Sequence, residues 1–556
     1  MQKTFFQWLG VILLAAAALP APARAADDVV MKAMRDELDR SMKGLQLEQL
    51  EKPYFISYHV QDRTSLDTSA TFGGLLAGGV TRVRFLTVQV RVGDYQRDNS
   101  NFVMDPPRAN GLTENVVLPL DDDYQEIRRQ IWLATDSAYK AALEMLSRKR
   151  GAMENRQARE NLPDFSKEQP VTSLELSSPV KMDLPKAEAL VKNLSALFRR
   201  APEIYTSTTS LSVTDARTWY LNSEGSAVTG EDSGATLVAM AQTQALDGTM
   251  LPDWVMVSGL SVEALPSESE LASQIRTMAD RLTKVRHSPL IDRYNGPVLF
   301  EGPAGAEAFS QVLVPKLIAM RVPSSDVPQM EAYAAQSVSK FQERLGSRIL
   351  PRSMSIIAAP VQASFQGTPL LGVHAVDEEG VRARPVTLVD HGRLKTLLNT
   401  RDPVSAIPQS TGSFRVFGAQ PSNIFLNATE GVSEQDLKDQ FLSMVKQRNL
   451  DFGVEVSKVG REIYKVYPDG HQELMRLGQF DGLDDGAFKD LAAVSHDEYV
   501  FSVPFAAYGG RLYPGQAGAP LVSFIAPSLL FEELSLKPAT GELPRLPLSK
   551  HPYFDK

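Results

Sequence analysis

The chain's inventory for catalysis is thin: seven histidines, no cysteine, and a tight acidic run at Asp377, Glu378 and Glu379 before a glycine. The histidines, at 59, 287, 374, 391, 471, 496 and 551, include no i, i+4 pair of the kind that puts two imidazoles on one helix face. Ser495, His496 and Asp497 are adjacent in sequence, whereas a Ser-His-Asp triad is assembled across a fold, so this trio predicts no nucleophile. His374 reads as a strand residue and His391 as part of a turn. The basic trio Arg148, Lys149 and Arg150 sits among acidic neighbours and reads as a solvated helix face. More useful chemistry lies at Arg401 and at Ser410, Thr411 and Gly412. A Ser-Thr-Gly turn offers backbone donors and hydroxyls to an extended peptide, which makes these four residues a candidate substrate or partner surface.

The stretch that must position them runs from 367 to 427. Gly372, Gly380 and Gly392 punctuate short alternating segments, and His391-Gly392 between residues 385–390 and 393–398 predicts a two-residue hairpin loop with φ > 0. The acidic run before Gly380 predicts a second exposed turn. A compact antiparallel unit is expected here.

Within this unit, "DEEGV", "LVDHGRLKTLL", Arg401, "STG" and "PSNIFLN" occur in an order that resembles the carboxy-terminal half of the TldD/PmbA family, whose members are metallopeptidases or their partner subunits. The likeness extends to "NSEG" at 222–225, "LGSRILPRSMSIIAAP" at 345–360 and "APSLLFEELSL" at 526–536. In catalytic members, the resemblance implies a His-Glu-x-x-x-His motif on the helix after a "GPVLF"-like strand, and a later cysteine completing a zinc site. Aligned on Gly305, the histidine positions hold Phe309 and Val314 and the glutamate position holds Ser310. No histidine occurs between His287 and His374, and there is no cysteine at all. Glu301, Glu307 and Gln311 remain on or beside that helix, and two carboxylates with an amide make a poor zinc set. No catalytic or metal-binding residue is therefore assigned, and no cofactor is expected in this chain. The resemblance implies instead a PmbA-like partner subunit, with zinc in a TldD-like homologue and a peptide as substrate. A self-contained peptidase with non-standard ligands and a non-enzymatic envelope scaffold are the alternatives.

Residues 1–25, with Lys3, an apolar run at 9–19 and Ala-Arg-Ala before Ala26, predict a cleaved secretory signal too short to span a bilayer. A periplasmic or secreted bacterial protein follows as the expectation, without disulfides and without the cysteine that lipoprotein acylation needs. The formal charge of −9 argues against nucleic acid as a partner. The remaining chain predicts an α+β fold of two domains: 26–290, with helices and an antiparallel sheet, and 291–556, antiparallel, β-rich and barrel-like. Helices are expected at 27–50, from 121 to about 156, at 185–200, 268–287, 302–314 and 433–448. Strands are expected at 54–60, 83–92, 205–213, 218–222, 235–243, 296–300, 452–467 and 499–503. A loop is expected at 72–80.

Overall fold

A computed structural model describes residues 28–554, apart from 105–110, 155–161, 175–179, 416–417, 477, 509–510, 513–517, 539–546, 548 and 550. The expected signal segment lies outside the described residues. The described residues are mixed helix and strand and build two large sheets, one from each half, with four two-stranded ladders beside them.

The first sheet rests on long hairpins. After helix α1 (Val29–Gly44), capped by Asp28 accepting from the Val30 and Met31 amides, the chain forms β1 (Pro53–Thr71) and β2 (Gly74–Val92). The expected loop at 72–80 is a tight turn at Phe72 and Gly73, both at positive φ, followed directly by strand. Glycines at 74, 78 and 79 still carry the amides and carbonyls of the ladder, so a Gly-rich segment can pair when its partner strand is long. Then follow β3 (Leu112–Leu118), α2 (Tyr124–Met153), α3 (Leu184–Ser195), β4 (Thr206–Asn222), β5 (Ala227–Gln244), β6 (Met250–Gly259) and α4 (Glu268–His287). The two strands expected at 205–222 are one. The order β3-β2-β1-β4-β5 continues into β6. Even-numbered side chains of β1, from Ile56 to Val60, face Ile127, Ile131 and Ala138 of α2. Further along the same strand, Leu66 joins Val191 and Leu194 of α3 and Leu271 and Ile275 of α4. One face of the sheet is thus covered by two helix pairs. The α4 terminus is held by a full capping box between Ser267 and Glu270.

The second sheet has eleven strands. Its main members are β7 (Tyr294–Phe300), β8 (Met354–Ala358), β9 (Val386–Asp390), β10 (Arg393–Leu394), β11 (Asn423–Ala428), β12 (Gly453–Lys458), β13 (Glu462–Val466), β14 (Gln472–Met475), β15 (Leu491–Pro504) and β16 (Leu521–Lys537), with helices α5 (Pro303–Val312) and α6 (Glu434–Gln447). They run β10-β9-β8-β11-β16-β7-β12-β13-β14, and β15 pairs with β16. Ten consecutive residues of β16, Val522 to Phe531, are buried, which makes it the spine of the sheet. Most pairings are antiparallel, but β11 with β16 and β7 with β12 are parallel. The barrel-like closure expected for this half does not form: β10 and β14 end the strand order as separate edges. The direction of β16 follows from its insertion between β7 and β11, a non-local choice that no local pattern records. No helix among the described residues is long and apolar enough to cross a membrane.

Candidate functional site

Three turns distant in sequence meet where the two halves touch. The β4–β5 turn is built by Asn222, whose side-chain oxygen accepts from the Glu224 and Ser226 amides, with Gly225 at φ +105. It holds Glu224 against Arg401. The guanidinium of Arg401 grips both carboxylate oxygens at 2.7 and 2.9 Å, donates through Nη2 and Nε to the Ser166 carbonyl, and lies 3.8 Å over the Phe165 ring. Tyr95 donates to the same carboxylate at 2.6 Å. Arg401 is 1% exposed.

The second turn is the acidic one. Asp377 accepts from the amides of Glu379, Val381 and Phe414, and Glu379 accepts from the Arg401 amide at 2.9 Å. Gly380, at φ +74, lies so close to Tyr220 that a Cβ there would come within 2.5 Å of the ring. Glycine is required twice over, for conformation and for contact. The third turn places Thr411 Oγ1 between the Asn399 amide and carbonyl, while Ser410 Oγ accepts from the Gly412 amide.

Arg401, Ser410, Thr411 and Gly412 are therefore together, as their choice as one surface requires, but all four are buried. Their hydroxyls and donors are engaged with the chain itself. The expected open surface is corrected to an internal joint, because the NSEG turn and the 164–168 segment cover it. Glu224, Glu379 and Tyr220 also belong to this joint. Glu224 and Glu379 stood inside the quoted motifs, whereas Tyr95, Phe165 and Ser166 carried no signal in sequence. The acidic turn is likewise not simply exposed, since Asp377 is buried.

Burial pushes the Asp377 carboxyl up to about 7; its three amide donors oppose the rise. Glu379 is pushed up further, to about 8, by enclosure and by the neighbouring Asp377 and Asp402 charges. A carboxyl raised in the folded state binds more protons than in the unfolded chain, so its contribution is present at acid pH and is lost as pH rises toward the folded value. Stability should fall between about pH 5 and 8. Half-buried His374, lowered to about 4 chiefly by desolvation and then by Arg415, acts oppositely on the acid side. The Glu379 share is isolated by difference: Glu379→Gln should flatten the alkaline slope of the denaturation midpoint, and an unchanged slope would contradict the assignment.

The helix expected to carry zinc in catalytic relatives is α5. Ala304 through Ser310 are buried, and Gly305 lets the helix press on β16, since a Cβ would lie 2.2 Å from the Pro527 carbonyl. Phe309, Leu313 and Val314 are 0% exposed within the main core. Glu307 is paired with Arg461 at 2.7 Å and accepts from the Val459 amide; Arg461 in turn stacks on Trp254 at 4.0 Å. Glu301 pairs with Lys438, and Gln311 is exposed. The three polar groups thus point to three different places, and no cluster of three potential metal ligands exists among the described residues. Zinc does not fit here. Ser495 donates to the Asp497 carbonyl and accepts from the Ser528 amide, a structural role, with His496 exposed. Lys149 differs from the expected solvated face: it is buried on Asp164, because the 164–166 segment folds over the helix.

The chain is thus an α+β protein of two main sheets, with α5 packed on the second and the motif turns at the joint between them. Residues 296–458 match the family described as PmbA/TldA metallopeptidase C-terminal domain, which supports the resemblance to the TldD/PmbA family over that part of the chain. No curated protein matches it in sequence. Among solved structures, a candidate modulator of DNA gyrase from Thermotoga maritima superposes with a TM-score of 0.56 at 16% identity, covering 86% of this chain and 95% of that one. TldE from Thermococcus kodakarensis gives 0.55 at 14%, covering 91% and 100%. A candidate modulator of DNA gyrase from Bacteroides thetaiotaomicron gives 0.56 at 12%, covering 91% and 98%. At these identities the structural likenesses establish the fold.

Proposed function

We propose that this chain is an exported, metal-free partner subunit of a zinc peptidase, dividing near residue 290 into an amino-terminal and a carboxy-terminal domain. The observation that carries the reading is the occupancy of the ligand positions: Phe309 and Val314 are packed into the core, and Ser310 Oγ is spent on the Glu307 carbonyl. The joint built from the motif turns is nonetheless complete. In this reading the chain shapes a chamber for an extended peptide, and a TldD-like homologue supplies zinc. The secretory signal expected at 1–25 supports a periplasmic or secreted location for this chain, where the partner would have to meet it.

Two measurements test this. Elemental analysis of mature protein purified without chelator should find no stoichiometric zinc, and the chain alone should cleave no peptide. Mixed with an exported homologue bearing His-Glu-x-x-x-His, it should co-elute and raise peptidase activity well above the sum of the two. One tightly held zinc per chain with chelator-sensitive cleavage would establish the self-contained peptidase instead. Separate elution with merely additive activities would favour an envelope scaffold.

A further inference from the structure

The outer edge of the carboxy-terminal sheet carries a feature that the peptidase reading does not use. The β9–β10 hairpin turns at His391 and Gly392, at φ 46 and 76, and is stapled to the preceding loop: Ile349 donates to the Gly392 carbonyl, Gly392 to Met354 and Leu394 to Ser347. Gly392 is pressed onto the Leu350 carbonyl, where a Cβ would sit at 2.3 Å. This rigid pair of loops raises Arg348, Arg352, Arg393 and Lys395 around one open hollow of about 560 Å³. All four are exposed.

Two details separate this hollow from an ordinary solvated face. Arg348 and Arg393 stand opposite each other across an antiparallel bridge, an arrangement of like charges that costs stability. Among the described residues of the lining the one acid, Asp390, already faces Lys395 at 3.5 Å, and Arg393 donates to the Gly346 carbonyl. Among the described residues, Arg348 and Arg352 have no ion-pair partner. The chain as a whole carries −9, so four cations around one acid are a local reversal of its charge. An adjoining hollow shares Arg348 and Arg352 but contains Glu430, Asp490 and Glu532, which confines the positive field to the hairpin side.

The geometry points to an anion-binding site here, for a phosphate or diphosphate group of a small molecule or a lipid headgroup. A guanidinium fork matches two oxygens of a tetrahedral oxyanion, and two forks on either side of a hollow this wide can engage a dianion together, where a single carboxylate would satisfy only one. The stapled backbone of the hairpin fixes where Arg393 and Lys395 start, so that only side-chain ordering remains to be met on binding. This inference is independent of the metal question.

The test uses the mature full-length chain titrated with inorganic pyrophosphate and inorganic phosphate by calorimetry, at low and physiological salt. Pyrophosphate should bind more tightly than phosphate. Arg348→Gln with Arg352→Gln should weaken it by about tenfold or more, as loss of two charge-assisted contacts implies. Arg276→Gln, an exposed arginine of α4, should leave it unchanged, and circular dichroism melts should stay near wild type. Vesicles of phosphatidylglycerol against phosphatidylcholine distinguish the sources: sedimentation with the first alone, competed by pyrophosphate, assigns a headgroup, whereas pyrophosphate binding without sedimentation assigns a soluble ligand. No pyrophosphate binding, equal weakening by Arg276→Gln, or binding only of a poly-glutamate peptide would overturn the proposal.

Discussion

Arg401→Ala is expected to destabilise the protein by about 3–5 kcal/mol, the range for breaking a buried ion pair by removing one partner. The substitution leaves the Glu224 carboxylate facing a void, with only Tyr95 still donating to it. It also removes the donors to the Ser166 carbonyl and the cation stacked on Phe165. Arg401→Lys should recover little, because a point charge cannot span both carboxylate oxygens and the carbonyl as the planar fork does. The informative comparison is the double variant Arg401→Met with Glu224→Leu. Apolar replacement of a buried pair is often neutral, so the double variant should be more stable than Arg401→Ala. Chemical denaturation of the four proteins checks this. A loss for Arg401→Ala under about 1 kcal/mol, the range of exposed pairs, would mean that the joint is open in solution.

Phe309→Ala should cost about 3–5 kcal/mol as well, through lost burial and the cavity left behind. Phe309 is 0% exposed and sits in the main core with Leu313, Val314 and Phe531. The helix cannot slide to fill the space, because Gly305 already touches the Pro527 carbonyl. Phe309→Leu should recover roughly half or more, since larger apolar side chains refill the void. The same burial bears on function: Phe309→His with Ser310→Glu and Val314→His restores the family's pattern in sequence but buries two imidazoles where Phe309 and Val314 packed and a carboxylate where Ser310 donates to the Glu307 carbonyl. That triple variant should be less stable than Phe309→Ala and should gain no zinc-dependent cleavage. Wild-type stability in Phe309→Ala, measured by denaturation midpoint, would contradict the packing role.

Much was legible from local rules. The caps at Asp28, Asp123 and Ser433, the His391-Gly392 hairpin and the Asn222–Gly225 turn were readable because each is decided within a few residues by hydrogen bonding and allowed dihedrals. The apolar identity of positions 309 and 314 was equally plain, and with it the poverty of the ligand set. Strand lengths were not. The 72–80 segment and the break expected near 214–217 look irregular alone, yet both are strand because β1 is long enough to pair with β2 on one side and β4 on the other. Sequence grouped Arg401 with the Ser-Thr-Gly turn but could not say whether they face solvent. That was decided by Glu224 and Ser166, which lie 177 and 235 residues away along the chain and meet the guanidinium only once both sheets have formed. The order in which β16 inserts between β7 and β11 is of the same kind. Local sequence determined the turns and the caps, because their energetics close within one or two turns of chain. Tertiary structure decided which of those turns are buried against each other, because desolvation and ion pairing depend on neighbours that lie far apart along the chain.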